Sequence, residues 1–171
     1  MSTVLVAYAS GTGCTAEVAE RIGETLSRCG ATVDVRPYEE VPELSAYDAV
    51  LAGSGVRAGS WHPRAKKWIA TNAEALKRTP MAMFTVGIAL AHGPEKADEQ
   101  RGYTDKLLAA TGVEPLDIGV FAGWFEPEKF SFLERKVMKM AKAPEGDHRD
   151  WNAIEGWALR MAEGLHVSTT A

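Results

Sequence analysis

The chain has 171 residues, 46% of them hydrophobic and 25% charged, with a formal net charge of −4. This suits one globular domain over residues 1–171 with a sizeable core, and the acidic balance excludes nucleic acid as the default partner. Cys14 and Cys29 offer neither a disulfide framework nor metal-ligand spacing, no apolar run reaches bilayer-spanning length, and no basic leader precedes the first apolar run, so a cytoplasmic protein without a metal is expected.

The first run, "TVLVAYA" from Thr3, is apolar and rich in β-branched residues, which predicts a strand buried on both faces. "TAEVAERIGETLSRCG" follows with Val18, Ala19, Ile22 and Leu26 on one helical face and Gly30 as its stop. "ATVDVRPY" and "YDAVLAGSG" read as the second and third strands. "HPRAKKWIATNAEALKR" reads as one helix, with Pro63 in its first turn and Ala65, Trp68, Ile69 and Leu76 inward. "MAMFTVGIAL" is a fourth strand. A polar segment with Pro94 leads into a helix ending at Gly112, and "PLDIGVFAG" is a fifth strand. "FLERKVMKMAK" and "DWNAIEGWALRMAEGL" are helical, the latter capped by Asp150. The "STTA" tail is expected to fray. Five alternations of strand and helix imply an α/β fold, three-layered, with a parallel sheet.

Such sheets bind ligands beyond the carboxyl ends of their strands. The loop after the first strand is therefore the expected anion site, because the following helix presents unpaired amides there. Ser10, Thr12 and Thr15 supply hydroxyls, while Gly11 and Gly13 permit close backbone approach. The loop itself has no Lys or Arg, which suits a phosphate monoester held by amides and alcohols. A rival reading stays open. Gly11, Gly13 and Ala16 also satisfy the dinucleotide pattern G-x-G-x-x-A, with Asp34 or Glu39 for a ribose and Arg36 for a 2′-phosphate.

The hydroxyl-rich "SGTGCT" loop and the "YDAVLAGSG" strand resemble the flavodoxin family over nearly the whole chain. "GVRAGSWH", "PEK", "FAGWFEPEKFSFLERKVMKMAK" and "DWNAIEGWA" look closer to one branch, the flavodoxin-like protoporphyrinogen dehydrogenases that pass electrons to quinones. The phosphate loop departs from that branch and looks more like a flavodoxin's. The resemblance implies a five-stranded sheet of order 2-1-3-4-5 and FMN as cofactor, with Ser10, Gly11, Thr12, Gly13, Cys14 and Thr15 around its phosphate.

The resemblance also implies that the loop after the third strand, with Ser54, Gly55, Val56, Arg57, Gly59 and Trp61, covers one edge and face of the flavin. Gly55 and Gly59 are candidates for a peptide flip toward the reduced ring. Trp61 is read either as stacking on the flavin or as packing beneath the next helix. Arg57 is a candidate to balance the anionic edge of the reduced ring or to bind a substrate carboxylate. His62 is a candidate proton relay or a helix-cap residue. Arg57 and His62 are the only catalytic nominees. Gly87, Ile88 and Ala89 should close the other side without an aromatic, leaving that face open to a flat substrate. Trp124 and Phe125 either line this opening or belong to the core. Cys14, at a helix start, is a redox thiol or a small side chain beside the phosphate.

Residues 129–142 carry Lys129, Arg135, Lys136, Lys139 and Lys142 against Glu134, a strongly basic stretch in an acidic chain. Phe130, Phe132, Leu133, Val137, Met138 and Met140 are interleaved. This pattern suits peripheral contact with an anionic membrane, or steering of an anionic partner; alternatively it is a core helix with solvated cations. The expected function is an FMN-dependent oxidoreductase with a small-molecule redox substrate, protoporphyrinogen or a related reduced compound, and a quinone acceptor. The alternatives are an electron-transfer flavodoxin serving a redox partner protein and, third, a dinucleotide-binding module.

Overall fold

The computed structural model describes residues 1–167, and the tail expected to fray lies outside the described residues. The chain opens with strand β1 (Thr3–Ala9), helix α1 (Cys14–Arg28) and strand β2 (Thr32–Pro37). Strand β3 (Ala49–Arg57) turns back into the short strand β4 (Ser60–Trp61). Helices α2 (Pro63–Thr71) and α3 (Ala73–Leu76) then lead to strand β5 (Met81–Gly87). Helix α4 (Ala97–Thr111) precedes strand β6 (Ile118–Ala122). An excursion follows, with strand β7 (Trp124–Phe125), helix α5 (Phe132–Met140) and strand β8 (Gly146–Asp147), before helix α6 (Trp151–Gly164).

The main strands lie parallel in the order β2-β1-β3-β5-β6. Counting only these five, the order is the expected 2-1-3-4-5. It also argues against the dinucleotide reading, whose sheet runs 3-2-1-4-5-6 and separates the first and third strands. Asp34, offered there as a ribose ligand, is instead held by Arg36 (2.7 Å) and the Tyr47 hydroxyl (2.6 Å). Strand order reverses between β1 and β3, so their carboxyl ends make the crevice.

Alternation along the strands builds two cores. Val4 and Val6 face α1 and α6, packing with Val18, Ile22, Leu26, Ile154 and Trp157. Leu5 and Ala7 face the other side, with Ile69, Trp61 and Leu107. Each fully buried Val, Leu or Ile contributes about 1.5–3 kcal/mol, so burial on both faces holds the three layers together.

Three local expectations differ from the structure. The helix expected over residues 62–78 breaks at Asn72, whose side-chain amide donates to the Trp68 carbonyl (2.9 Å); this local bond competes with the helical ladder. Trp68 is only half-buried and tilts against Tyr38, 4.9 Å between ring centroids. The fourth apolar run stops being strand at Gly87 and becomes a 3-10 turn over Ile88–His92. The turn begins where the Gly87 carbonyl accepts from the Gly123 amide (3.1 Å). The expected stops and caps are present: Gly112 is left-handed (φ 68°) and Asp150 accepts from the Ala153 amide (3.0 Å).

Candidate functional site

Gly13 ends the loop after β1 in a left-handed conformation (φ 92°) that favours glycine, and α1 starts at the next residue. The first intrahelical bond runs from the Glu17 amide to the Gly13 carbonyl (3.1 Å). The amides of Cys14, Thr15 and Ala16 precede it and are the helix's orphan donors. The Gly13 amide donates to Ser10 Oγ (3.0 Å), which leaves the Ser10 proton to donate elsewhere. Thr12 Oγ1 likewise accepts from the Trp124 indole (3.0 Å).

This loop forms one end of a cleft of about 450 Å³, within the range of small-molecule sites, about 300–1,000 Å³. Of the residues expected around FMN, Ser10, Gly11, Thr12, Cys14 and Thr15 line the cleft, as do Gly55, Val56, Arg57, Gly87 and Ile88. The excursion after β6 adds a largely apolar wall of Trp124, Phe130, Leu133, Val137 and Met138, with Glu134 as its charged member. Phe125 is fully buried behind it, edge-on to Phe130 at 5.3 Å.

The guanidinium of Arg57 occupies the space that a Cβ on Gly11 would need. A cation from the end of β3 therefore lies beside the loop after β1, which itself contains no Lys or Arg. Arg57 also pairs with Glu134 of α5. Glu134 closes a capping box with Ser131, and the Ser131 amide and hydroxyl, followed by Arg57, hold its carboxyl below the usual carboxylate range. Among the described residues, Arg149 is a further cation near the loop. It bonds Glu17 in the first turn of α1 (2.7 Å) and Asp147 (2.5 Å).

Other expected site residues sit outside the cleft wall. Trp61 is a core residue, 2% exposed, with its indole donating to Thr104 Oγ1 (3.0 Å). The flavin-stacking role is therefore replaced by the packing one. Ser54 is buried and its hydroxyl bonds the Gly55 carbonyl (2.8 Å) and the His62 amide (2.9 Å). Gly55, which does line the cleft, pairs in register with Val86. Gly59 (φ 71°) lies in the β3–β4 turn beside Ala58 (φ 47°), and this pair of positive φ values is the signature of a type I′ hairpin. Ala89 lies in the 3-10 turn after β5. His62 caps α2, its Nδ1 accepting from the Arg64 amide (3.3 Å). Burial, then Arg64 and Arg57, lower its pKa, and the ring takes the helix-cap place that was one of its two expected roles. Burial pushes the Cys14 thiol up to about 11, so it is neutral at pH 7 and not a reactive thiolate.

Sequence reasoning underrated the excursion. Its base is the two-residue ribbon β7–β8, too short to carry any periodicity. Trp124 lies within 3.6 Å of the Lys129 ammonium and 4.4 Å of the Arg149 guanidinium, measured to its ring centroid. The aromatic–basic alternation around residues 124–151 was the available signal.

The hydroxyl trio, the start of α1 and Arg57 line a cleft whose other residues, apart from Glu134, are apolar or glycine. That donor set fits a phosphate monoester, and the apolar length fits a flat ring system, as in FMN. A family profile described as "Flavodoxin domain" matches residues 5–152. Protoporphyrinogen IX dehydrogenase [quinone] from Escherichia coli (strain K12) is 24% identical over 170 residues, covering 92% of this chain and 93% of that protein. A flavodoxin from the domain Archaea superposes with a TM-score of 0.61 at 15% identity, covering 96% of this chain and 99% of that one. Oxidised flavodoxin 2 from Bacillus cereus superposes with a TM-score of 0.59 at 23% identity, covering 95% and 99%. With the family profile matched over most of its length, the chain belongs to the flavodoxin family, which implies FMN as its cofactor.

Proposed function

We propose that the protein is an FMN-dependent oxidoreductase that takes electrons from a flat reduced substrate of the porphyrinogen class and passes them to a quinone. The observation that carries this reading is the apolar wall of α5. Leu133, Val137 and Met138 line the cleft, yet Leu133 is 70% and Val137 56% exposed. A bound flavin and a flat lipophilic partner would cover them, and a carrier without a substrate has no need of such a wall. The name of the Escherichia coli relative, which aligns over 92% of this chain, supports the same class of donor and acceptor.

Bound FMN supplies the redox chemistry, accepting a hydride equivalent and releasing electrons singly or in pairs. The chain's own residues bind and orient. Ser10, Thr12 and Thr15 hold the phosphate with the α1 amides, and Gly55, Val56, Gly87 and Ile88 flank the ring. Arg57 offers positive charge at the cleft edge, where negative charge develops on reduction. Glu134 is ionised at pH 7 and acts as the partner of Arg57, not as a proton donor.

We also propose that α5 docks on an anionic membrane surface, where a quinone would be met. None of its residues is buried; Phe132 and Met140 are 76% and 79% exposed, interleaved with Arg135, Lys136 and Lys139. No helix among the described residues is long and apolar enough to cross a membrane, so this contact would be interfacial. Each basic residue near such a surface contributes about 1 kcal/mol.

The reaction is tested with FMN-loaded protein under anaerobic conditions, protoporphyrinogen IX as donor and a soluble menaquinone analogue as acceptor. Protoporphyrin fluorescence that rises only with both FMN and quinone supports the reading. Reduction of a partner protein without porphyrinogen turnover favours the carrier alternative. Docking is tested by sedimentation with phosphatidylglycerol-containing and pure phosphatidylcholine vesicles. Binding to the first alone, weakened by salt and by Phe132→Asp with Met140→Asp, is expected; equal or no binding to both contradicts it.

A further inference from the structure

We propose that Trp124 is a positioning residue for the cofactor phosphate, setting the direction of the Thr12 hydroxyl proton; this rests on the FMN reading of the cleft. Thr12 and Trp124 both line the cleft and are joined by the indole N–H to Thr12 Oγ1 bond of 3.0 Å. An indole N–H can only donate, whereas a threonine hydroxyl has one proton and two lone pairs. With one lone pair taken by the indole, the hydroxyl loses most of its rotational freedom. Its proton points away from Trp124, and the phosphate end of the cleft is where an acceptor for it would sit.

The indole is itself held firmly. Trp124 is 5% exposed, and β7 pairs it with Asp147 of β8. Lys129 and Arg149 stack on its ring. Arg149 is fixed in turn by Asp147 and by Glu17 in the first turn of α1. The ring edge also lies against Gly13, where an added Cβ would sit 3.9 Å from Trp124 Cζ2. The donor aimed at Thr12 is therefore built on a rigid base that spans α1 and the ribbon. A preorganised donor of this kind loses less entropy when the phosphate arrives than a freely rotating hydroxyl does.

The test measures FMN and riboflavin dissociation constants by flavin fluorescence quenching. The proteins are wild type, Trp124→Phe, Thr12→Ala and the double variant, each checked for native circular dichroism. Trp124→Phe keeps an aromatic ring and removes the N–H. We expect a loss of about two- to tenfold in FMN affinity, unchanged riboflavin affinity, and no further loss from Trp124→Phe in the Thr12→Ala background. In isotope-labelled wild-type protein, the Trp124 indole N–H resonance should move on adding FMN and stay still with riboflavin. This second readout holds even if Trp124→Phe fails to fold. Unchanged FMN affinity, additive losses in the double variant, equal losses for both flavins, or an indole resonance blind to the phosphate would each overturn the assignment of Trp124. Wild-type protein that takes up neither flavin would overturn the FMN reading itself, and this inference with it.

Discussion

Arg57 at the end of β3 and Glu134 in the first turn of α5 form an ion pair, and both line the cleft. With no buried residue of its own, α5 is held by this pair, by the Ser131–Glu134 capping box and by the edge-on contact of Phe130 with Phe125. Glu134 serves two of these three. Glu134→Ala should raise amide hydrogen exchange over residues 132–140 by about five- to thirtyfold, equivalent to ~1–2 kcal/mol of lost capping and pairing. Exchange in the central sheet should not change. An equal rise across the chain would mean that α5 is integral to the core.

Removing both Thr12 and Thr15 hydroxyls with alanine should weaken FMN binding by at least about a hundredfold, since each charge-assisted hydrogen bond contributes about 1.5–3 kcal/mol. Riboflavin, lacking the phosphate, should bind the variant as it binds wild type. Titration by fluorescence quenching separates the two cases.

Trp61→Phe should behave as a core change. It leaves the buried Thr104 hydroxyl without its indole partner, at a cost of about 1–3 kcal/mol in urea denaturation. The visible spectrum of bound FMN should be unaltered, because Trp61 does not line the cleft. A shifted flavin spectrum would return Trp61 to the ring face.

Most of the framework was legible in the sequence because it is written in long patterns. Thr3–Ala9, Ala49–Arg57 and Met81–Gly87 are continuous apolar runs, as strands covered on both faces must be. The turn from β1 into α1 was legible because Gly13 takes a left-handed backbone where the helix begins. What stayed hidden depends on partners distant in sequence. Trp61 reads equally well as a ring cover or a core residue until Thr104 is placed beside it. Arg149 looks like an ordinary basic residue until the two-residue ribbon carries it onto Trp124 and Glu17. Arg57 looks like an ordinary loop arginine until the pairing of β3 with β1 brings its guanidinium against Gly11.

The Arg149 cluster gives the protein a pH signature. The Arg149 hydrogen bonds hold the Asp147 carboxyl below the usual carboxylate range. Its stabilising contribution is therefore complete at neutral pH and is lost as pH falls below that range. Arg149→Gln should cost about 1–2 kcal/mol at pH 7 through lost stacking on Trp124 and Trp151 and the lost pairing with Asp147. Between pH 5 and pH 3, its stability should fall less steeply than that of wild type. Urea midpoints across that interval measure both effects; parallel slopes would remove Asp147 from the explanation.

The central claim is that the Ser10–Thr15 loop and the start of α1 hold the phosphate of FMN. Calorimetric titration of flavin-free protein with FMN, riboflavin and NADP tests it most directly. One FMN per chain, bound far more tightly than riboflavin, with no heat from NADP, is the predicted result. Tight NADP binding, or FMN and riboflavin of equal affinity, would contradict it.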